Sequence, residues 1–339
     1  MTVVENAVET RPTSSERYQT FMSRRASLLP TLAAVAILIL LFIGAEILLR
    51  GDFITPRNIS ALLLDNTYLL LLAVGSTFVI VTGGIDLSVG SVMAFTGIWL
   101  AKLLEAGTSL AIAVPAILVG GALVGLLIGV LVQYFGVQPF IASLAGLFLA
   151  RGLAFVVSLS SIRVENQALL SLQSTRFRFG DWYITPTGIM ALVVVLIGAY
   201  VMQYTRFGRT TYAIGGNPQA SLMGLKVARA TVSVYVISGI CGGLAGLVLT
   251  AYSGAGYPRN GIGTELDVIA AVVIGGTVLT GGRGYVLGSM IGVFVYGTIK
   301  TIISFMGAEQ SWMQIVIGAL LLVFILVQRA IVARSDRRS

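Results

Sequence analysis

The feature that most constrains this chain is a series of apolar runs, most of them about twenty residues long, separated by short polar or glycine-rich segments. A run of this length spans the hydrocarbon core of a bilayer as one helix. Of the 339 residues, 56% are hydrophobic and 11% are charged, whereas soluble domains carry roughly 25% charged residues. The sequence therefore predicts a polytopic bundle of transmembrane helices, and it excludes a soluble enzyme, a nucleic-acid-binding module and an outer-membrane barrel, whose strands alternate in hydrophobicity.

Ten apolar segments are the predicted spans of this all-α bundle. They are residues 30–49, 67–82, 87–104, 110–135, 138–161, 187–204, 231–251, 267–280, 284–305 and 311–328. The runs 67–104 and 267–305 are too long for one helix each, so each is divided at a pair of glycines. A further helix is expected at the membrane interface over residues 53–66.

The distribution of Lys and Arg predicts which side of the bundle is cytoplasmic. Cytoplasmic loops of membrane proteins are enriched in these residues, and residues 205–230 contain four basic side chains and no acidic one. We therefore expect cytoplasmic tails at 1–29 and 329–339, a transmembrane domain over 30–328, and a cytoplasmic loop at 205–230. The net charge of +8 is then explained by loops and tails beside lipid, not by a nucleic-acid partner.

Glycines recur every four residues in three predicted spans, at positions 121, 125 and 129, at 239 and 243, and at 284, 288 and 292. A helix face without side chains lets another helix backbone approach closely, and packing of this kind holds membrane helices together. These faces predict a compact bundle rather than a binding site.

Two short segments of the chain repeat each other. Residues 82–91 read TGGIDLSVGS and residues 280–289 read TGGRGYVLGS, at an offset of 198 positions. Each segment joins two short spans, and transporters often carry internal repeats with broken helices at a central pathway. The pattern predicts two broken helices related by a parallel repeat, with a chance match in a glycine-rich chain as the alternative.

Charged residues within or beside the spans are functional candidates, because placing a charge in lipid is costly. Asp86 either caps the helix that follows the first glycine pair or lines a translocation pathway. Arg151 lies mid-span and either forms an ion pair or faces that pathway. Glu265 and Asp267 are expected to cap the helix that follows them. The predicted pathway residues are Thr82, Gly83, Gly84, Asp86, Ser88 and Ser91.

The sequence carries no pattern for catalysis, metal binding or cofactor binding. It has no histidine, its single cysteine lies in an apolar run, and it lacks the G-x-x-x-x-G-K-[ST] phosphate loop. We therefore expect a protein that is not an enzyme and holds no metal or cofactor of its own.

The loop TRFGRTTYAIGGNPQASLMGLKVARA at 205–230 is the most informative polar segment. Residues 215–218, GGNP, are a turn signal, and residues 219–223 form a short helix-compatible run that Gly224 ends. The segment is either a docking knob that presents Leu222 on the cytoplasmic face or an ordinary loop packed on the bundle.

Three segments resemble the membrane permeases of bacterial monosaccharide ABC importers, the ribose, xylose and galactose permease family. They are TGGIDLSVGS at 82–91, TRFGRTTYAIGGNPQASLMGLKV at 205–227 and ELDVIAAVVIGGTVLTGGRGYVLGS at 265–289. The resemblance covers about residues 50–330, and within the family the chain looks most like permeases of the galactofuranose importer.

The resemblance implies a permease subunit in the bacterial inner membrane, paired with a second permease, with ATPase subunits that bind ATP and with a periplasmic sugar-binding protein. It also implies that the GGNP segment is the coupling helix that sits in a cleft of the ATPase. The residues matched to this role are Gly215, Gly216, Asn217, Pro218, Gln219, Ala220, Ser221, Leu222, Met223 and Gly224.

Two other functions stay open on the sequence. One is an ion-coupled secondary transporter of a small polar solute, in which Asp86, Arg151 and Glu265 would be the coupling groups. The other is a membrane scaffold or enzyme subunit, for which the sequence offers no chemistry.

Overall fold

The computed structural model of the protein describes residues 29–49, 51–216, 224–307 and 310–336. Across these ranges the chain is predominantly helical. The helices are α1 (Leu29–Leu48), α2 (Pro56–Asp65), α3 (Thr67–Val81), α4 (Val89–Glu105), α5 (Leu110–Tyr134), α6 (Pro139–Val157), α7 (Gln167–Ser174), α8 (Pro186–Tyr204), α9 (Arg206–Gly216), α10 (Val227–Ser253), α11 (Thr264–Ile274), α12 (Val286–Phe305) and α13 (Gln310–Asp336). The helical fold is as predicted, and most of the predicted N-terminal tail, residues 1–28, lies outside the described residues.

Four short strands lie in the connections between helices. β1 (Ile162–Arg163) pairs with β4 (Ala255–Gly256), and β2 (Phe177–Phe179) pairs with β3 (Trp182–Ile184), both antiparallel. The all-α prediction missed these strands because each has only two or three residues, too few to show an alternating pattern.

The number of membrane-length helices in the described part of the chain is lower than the ten predicted spans. Six helices are long and apolar enough to cross a bilayer, namely α1, α5, α6, α8, α10 and α12, and α2 with α3 adds a seventh if this pair, bent by 53°, is one broken span. The other predicted spans fall short because the glycine breaks leave helices of 15 residues in α3, 17 in α4 and 11 in α11. In α13 the apolar part is Trp312–Phe324.

Helix α10 lies at the centre of the bundle and packs against α3, α4 and α5. A Cβ on Gly121 of α5 would overlap the carbonyl oxygen of Gly239 of α10, and a Cβ on Gly239 would overlap the carbonyl oxygen of Gly121. Gly125 meets the Tyr235 carbonyl oxygen in the same way. The two backbones are therefore in direct contact, as the four-residue glycine spacing predicted.

The internal repeat extends beyond the two sequence segments to the order of the helices. α1 and α10 begin at Leu29 and Val227, which are 198 residues apart. α3 and α4 begin at Thr67 and Val89, and α11 and α12 each begin 197 residues further along. A chance match of two glycine-rich segments does not account for this agreement in helix positions.

The predicted loop at 205–230 begins with a helix. The Thr205 hydroxyl oxygen accepts the Gly208 N–H at 3.2 Å and caps α9, which continues to Gly216. The GGNP sequence predicts a turn that includes Gly215 and Gly216. In the structure they form the last residues of α9. Helix α13 likewise extends to Asp336, past the predicted end of the last span at 328.

We predict that Gly239→Val destabilises the bundle by about 1–3 kcal/mol or more, because an added side chain forces α5 and α10 apart. Gly152 of α6 is the matched control, since nothing lies within 4 Å of a Cβ built on it. Thermal unfolding in detergent should show a lowered midpoint for Gly239→Val and an unchanged midpoint for Gly152→Ala. A midpoint for Gly239→Val equal to that of the unchanged protein would contradict the close backbone contact.

Candidate coupling and translocation site

The first helix break follows α3. Val79 carbonyl oxygen accepts the N–H groups of Thr82 and Gly84, each at 3.1 Å, and Gly83 turns the chain at φ +82°. The left-handed backbone at Gly83 is the conformation that favours glycine. The chain then runs without helical structure to Ser88, which precedes α4.

The second break follows α11 and uses more glycines. Gly281 and Gly282 lie at φ +85° and φ +74°. The Gly282 N–H donates to the carbonyl oxygen of Val81, the last residue of α3, at 2.8 Å. The two broken helices are therefore joined by a backbone hydrogen bond at their breaks.

Equivalent residues of the repeat meet each other at this point. Gly83 and Gly281 are 198 positions apart, and a Cβ on Gly281 would lie 2.7 Å from the Gly83 amide nitrogen and 3.0 Å from the Gly215 Cα. Gly215 completes the contact, because a Cβ on it would overlap the Val81 carbonyl oxygen and the Gly282 nitrogen. We call Gly83, Gly215, Gly281 and Gly282 the glycine junction.

Helix α9 is attached to the second break by a side chain as well. The Tyr212 hydroxyl donates to the Gly284 carbonyl oxygen at 2.6 Å. Burial raises the pKa of Tyr212 to about 12, so the hydroxyl stays protonated and able to donate at neutral pH. A cleft of about 370 Å³ opens beside this bond and is lined by Gln203, Arg283 and Tyr285 among others.

Asp86 is buried, with an exposed fraction of 3%, and its carboxylate is engaged on both oxygens. Oδ1 accepts the Ser88 N–H at 2.9 Å and the Ser88 hydroxyl at 2.6 Å, and Oδ2 accepts the Ser238 hydroxyl of α10 at 2.7 Å. Asp86 therefore holds the residue that precedes α4 and ties it to α10. It does not cap α4 as the capping alternative proposed, because no side chain among the described residues accepts an N–H from the first turn of that helix. The Tyr235 hydroxyl lies beside Gly84 and lacks a hydrogen-bond partner among the described residues.

The predicted pathway residues form one continuous segment at the first break. Thr82 is half-buried and Gly83 exposed, whereas Gly84, Asp86, Ser88 and Ser91 are buried. In this conformation the exposed end of the segment is the glycine junction. A solute could reach Asp86 only after the packing around it has opened.

Arg151 of α6 has two backbone hydrogen-bond partners and an acidic neighbour. Its guanidinium donates to the carbonyl oxygens of Pro258 and Asn260, each at 2.7 Å, and interacts electrostatically with Glu265. It therefore fixes the turn that precedes α11. The sequence carries no signal for carbonyl partners more than a hundred positions away.

The capping expected at α11 is carried by one of the two predicted residues. Glu265 Oε1 accepts the Gly263 N–H at 3.2 Å, and Gly263 is the residue that precedes the helix. Asp267 instead accepts a hydrogen bond from the Tyr296 side chain and interacts with Lys300. It remains in the first turn, where a carboxylate favours the positive end of the helix.

The predicted coupling helix lies mostly outside the described residues. Asn217, Pro218, Gln219, Ala220, Ser221, Leu222 and Met223 are not described. Gly215 and Gly216 precede them as the end of α9, and Gly224 follows them at φ +73°. The coupling segment is thus joined directly to the glycine junction, a placement that the sequence alone did not predict.

A bundle of membrane-length helices in which two broken helices meet is the architecture of a transport protein. The family model described as the permease component of the branched-chain amino acid transport system matches residues 58–325. The chain therefore belongs to this family of membrane permeases. It is a permease of the inner membrane and not an enzyme.

The chain matches an ABC transporter permease and two sugar import permeases along nearly their whole length. The chain is 42% identical to the inner membrane ABC transporter permease protein YjfF of Escherichia coli, over 91% of this chain and 95% of that protein. It is 43% identical to the fructose import permease protein FruG of Bifidobacterium longum, over 90% and 92%. It is 35% identical to the ribose import permease protein RbsC of Escherichia coli, over 94% and 98%. No solved structure matches the chain.

We predict that Asp86→Ala lowers stability by several kcal/mol, because it leaves three buried donors on Ser88 and Ser238 without an acceptor at about 1–3 kcal/mol each. Asp86→Asn keeps one acceptor oxygen and should lose less. Ser238→Ala removes one bond and should cost about 1 kcal/mol. Thermal unfolding in detergent gives the ranking, and an Asp86→Ala midpoint equal to that of Ser238→Ala would contradict the bridging role.

Proposed function

We propose that the protein is the membrane-spanning permease subunit of an ABC importer that carries a monosaccharide across the bacterial inner membrane. The observation that carries this proposal is the likeness, over at least nine-tenths of the chain, to permeases named for fructose and ribose import. Transport of galactofuranose, indicated by the sequence resemblance, stays a prediction within this class.

The proposed complex contains a second permease, ATPase subunits that bind ATP, and a periplasmic sugar-binding protein. The proposal includes ten spans with both termini in the cytoplasm. In this arrangement α3 and α4 are separate spans on either side of the first break, and α11 and α12 are separate spans on either side of the second. The cytoplasmic side is then the side of α9 and the coupling segment, in agreement with the basic residues Arg206, Arg209, Lys226 and Arg229.

The proposed mechanism starts at the coupling segment, residues 215–224. ATP binding closes the ATPase subunits, and a segment held in their cleft moves with them. The segment begins at Gly215, which lies against both helix breaks, and α9 holds the second break through the Tyr212–Gly284 bond. A shift of α9 therefore biases both broken helices together between two packed arrangements of the bundle.

The translocation pathway in this proposal runs along the first break, from Thr82 to Ser91. Two features support it. Asp86 offers carboxylate oxygens to sugar hydroxyls once its serine partners move, and the Tyr235 hydroxyl beside it has no hydrogen-bond partner among the described residues.

The ion-coupled alternative, with Asp86, Arg151 and Glu265 as coupling groups, is less favoured by the comparisons. The named relatives are components of ABC and import systems.

We predict that Gly215→Ala uncouples ATP hydrolysis from transport, because the added methyl group overlaps the Val81 carbonyl oxygen at the glycine junction. Gly216→Ala is the matched control one residue later, where the nearest atom to an added Cβ is 3.8 Å away. ATPase activity and sugar uptake are measured in the same proteoliposomes. Normal uptake by Gly215→Ala would contradict the role of the junction.

We predict that the chain, reconstituted with its ATPase and sugar-binding protein, accumulates a monosaccharide only when ATP is present, and that Leu222→Asp abolishes this uptake. The aspartate would place a charge in an apolar cleft of the ATPase, which costs several kcal/mol without a partner. Ser221→Ala in the same segment is the control.

The readouts separate the parts of this proposal. Uptake that survives loss of the ATPase would overturn the importer assignment. Uptake that survives Leu222→Asp would overturn only the docking role. A panel of ribose, fructose, arabinose and galactofuranose then identifies the sugar that is carried.

A further inference from the structure

The hairpin of β2 and β3 has two chemically different faces. Cross-strand partners point to the same side of a two-stranded sheet, and neighbours along a strand point to opposite sides. The pairs Phe177–Ile184 and Phe179–Trp182 therefore share an apolar face. The pair Arg178–Tyr183 and, two residues before Arg178, Arg176 lie on the other face, where the Arg176 guanidinium stacks 4.6 Å from the Tyr183 ring centre.

The basic face opens on a cavity of about 560 Å³ between the hairpin and the start of α2. Three arginines line it, Arg57, Arg176 and Arg178, with Asp181 as the one acidic group among the lining residues. Thr55 and Pro56 also line it, so the positive end of the α2 dipole lies there. The cavity therefore has an excess of positive charge and arginine forks suited to phosphate oxygens.

The apolar face opens on a second cavity, a groove of about 460 Å³ that shares Trp182 and Tyr183 with the first. Helices α1, α8 and α12 contribute Leu38, Leu192 and Phe294 to its walls. Almost all of the groove lining is apolar carbon. The two cavities therefore lie on opposite sides of the hairpin, and one is basic and the other apolar.

The hairpin is anchored and exposed in the manner of an interfacial element. The Tyr183 N–H donates to the Ser60 hydroxyl of α2 at 3.1 Å, which fixes β3 on that helix. The aromatic side chains of Phe179 and Trp182 remain 70% and 46% exposed. Exposed tryptophan and tyrosine mark the level where lipid headgroups meet the hydrocarbon core.

We propose that this hairpin and α2 form a binding site for an anionic phospholipid. The headgroup phosphate is held by Arg57, Arg176 and Arg178, and one acyl chain lies in the groove walled by Leu38, Leu192 and Phe294. Basic pockets between membrane helices bind the head groups of anionic lipids.

The groove distinguishes a lipid from other anions. An acidic patch on a partner protein would satisfy the arginines but leave the apolar cavity beside them empty. A free phosphate compound would also leave it empty. A diacyl lipid fills both, and it is present wherever this chain is inserted.

The test is native mass spectrometry of the purified full-length protein in detergent, titrated with dioleoyl phosphatidylglycerol or dioleoyl phosphatidylcholine. We expect retention of phosphatidylglycerol in preference to phosphatidylcholine, and a loss of about tenfold or more in the phosphatidylglycerol affinity of the double variant Arg176→Gln/Arg178→Gln. Arg176→Lys/Arg178→Lys keeps the charge and should retain most of the binding. The control is Arg259→Gln, an exposed arginine that lies outside the cavity lining.

Other results of these measurements would overturn the lipid site or assign the arginines to a different ligand. Equal retention of the two lipids, or unchanged affinity in the double glutamine variant with native helix content, would overturn the site. Competition by glycerol phosphate as strong as that by the diacyl lipid would assign the arginines to a free phosphate compound. If the double glutamine variant no longer binds the sugar-binding protein but still binds phosphatidylglycerol, the arginines serve that protein partner instead of a lipid. Leu192→Trp, which fills the groove, should weaken phosphatidylglycerol binding while leaving the arginines in place.

Discussion

The direct contact between the backbones of α5 and α10 is the constraint on which the other features rest. Inside a bilayer, burial of apolar surface does not drive helices together, so association depends on close packing. At Gly121 and Gly239 the two helices approach until each carbonyl oxygen occupies the space of the other residue's missing side chain. This crossing fixes α10, and α10 in turn supplies Ser238 and Tyr235 to the first helix break.

Fixing α10 has consequences at the break because the chain there has no helical hydrogen bonds of its own. Residues between α3 and α4 leave backbone groups that need partners in a membrane interior. Asp86 accepts one of these groups, the Ser88 N–H. Its hydrogen bond from the Ser238 hydroxyl fixes the position of the break relative to α10. The glycine crossing and the buried carboxylate are therefore one structural unit.

The sequence predicts those parts of this unit that depend on near neighbours. Helical spans follow from the length of apolar runs, close packing of helix backbones from the four-residue glycine spacing, and the break after α3 from the glycine pair at 83–84. It does not predict Ser238 as the second partner of Asp86, or the Pro258 and Asn260 carbonyl groups as the partners of Arg151. Those partners are set by tertiary packing, which leaves no local pattern in the chain.

The glycine pairs show why even a correct local rule can mislead. A pair of glycines usually ends a helix, and the pair at 83–84 follows the end of α3 in this way. Helix α11 ends earlier than predicted, at Ile274 before Gly275, so the pair at 281–282 lies in the connection to α12. The pair at 215–216 instead stays helical, because its function is to let α9 approach two other backbones. At least one glycine of each pair belongs to the glycine junction, so the role of the pairs is visible only when the fold brings them together.

The junction also gives the internal repeat a physical consequence. Gly83 and Gly281 are equivalent residues of the two repeats, and they touch each other. A third segment that packs against this contact therefore touches both repeats of the bundle. Helix α9 is that segment, through Gly215, which is also the first residue of the proposed coupling segment. An arrangement with α9 on only one half would move one broken helix and leave the other behind, whereas this one links the two breaks through the Gly282–Val81 hydrogen bond. In the proposed mechanism, this contact lets a displacement of the coupling segment act on both helix breaks together.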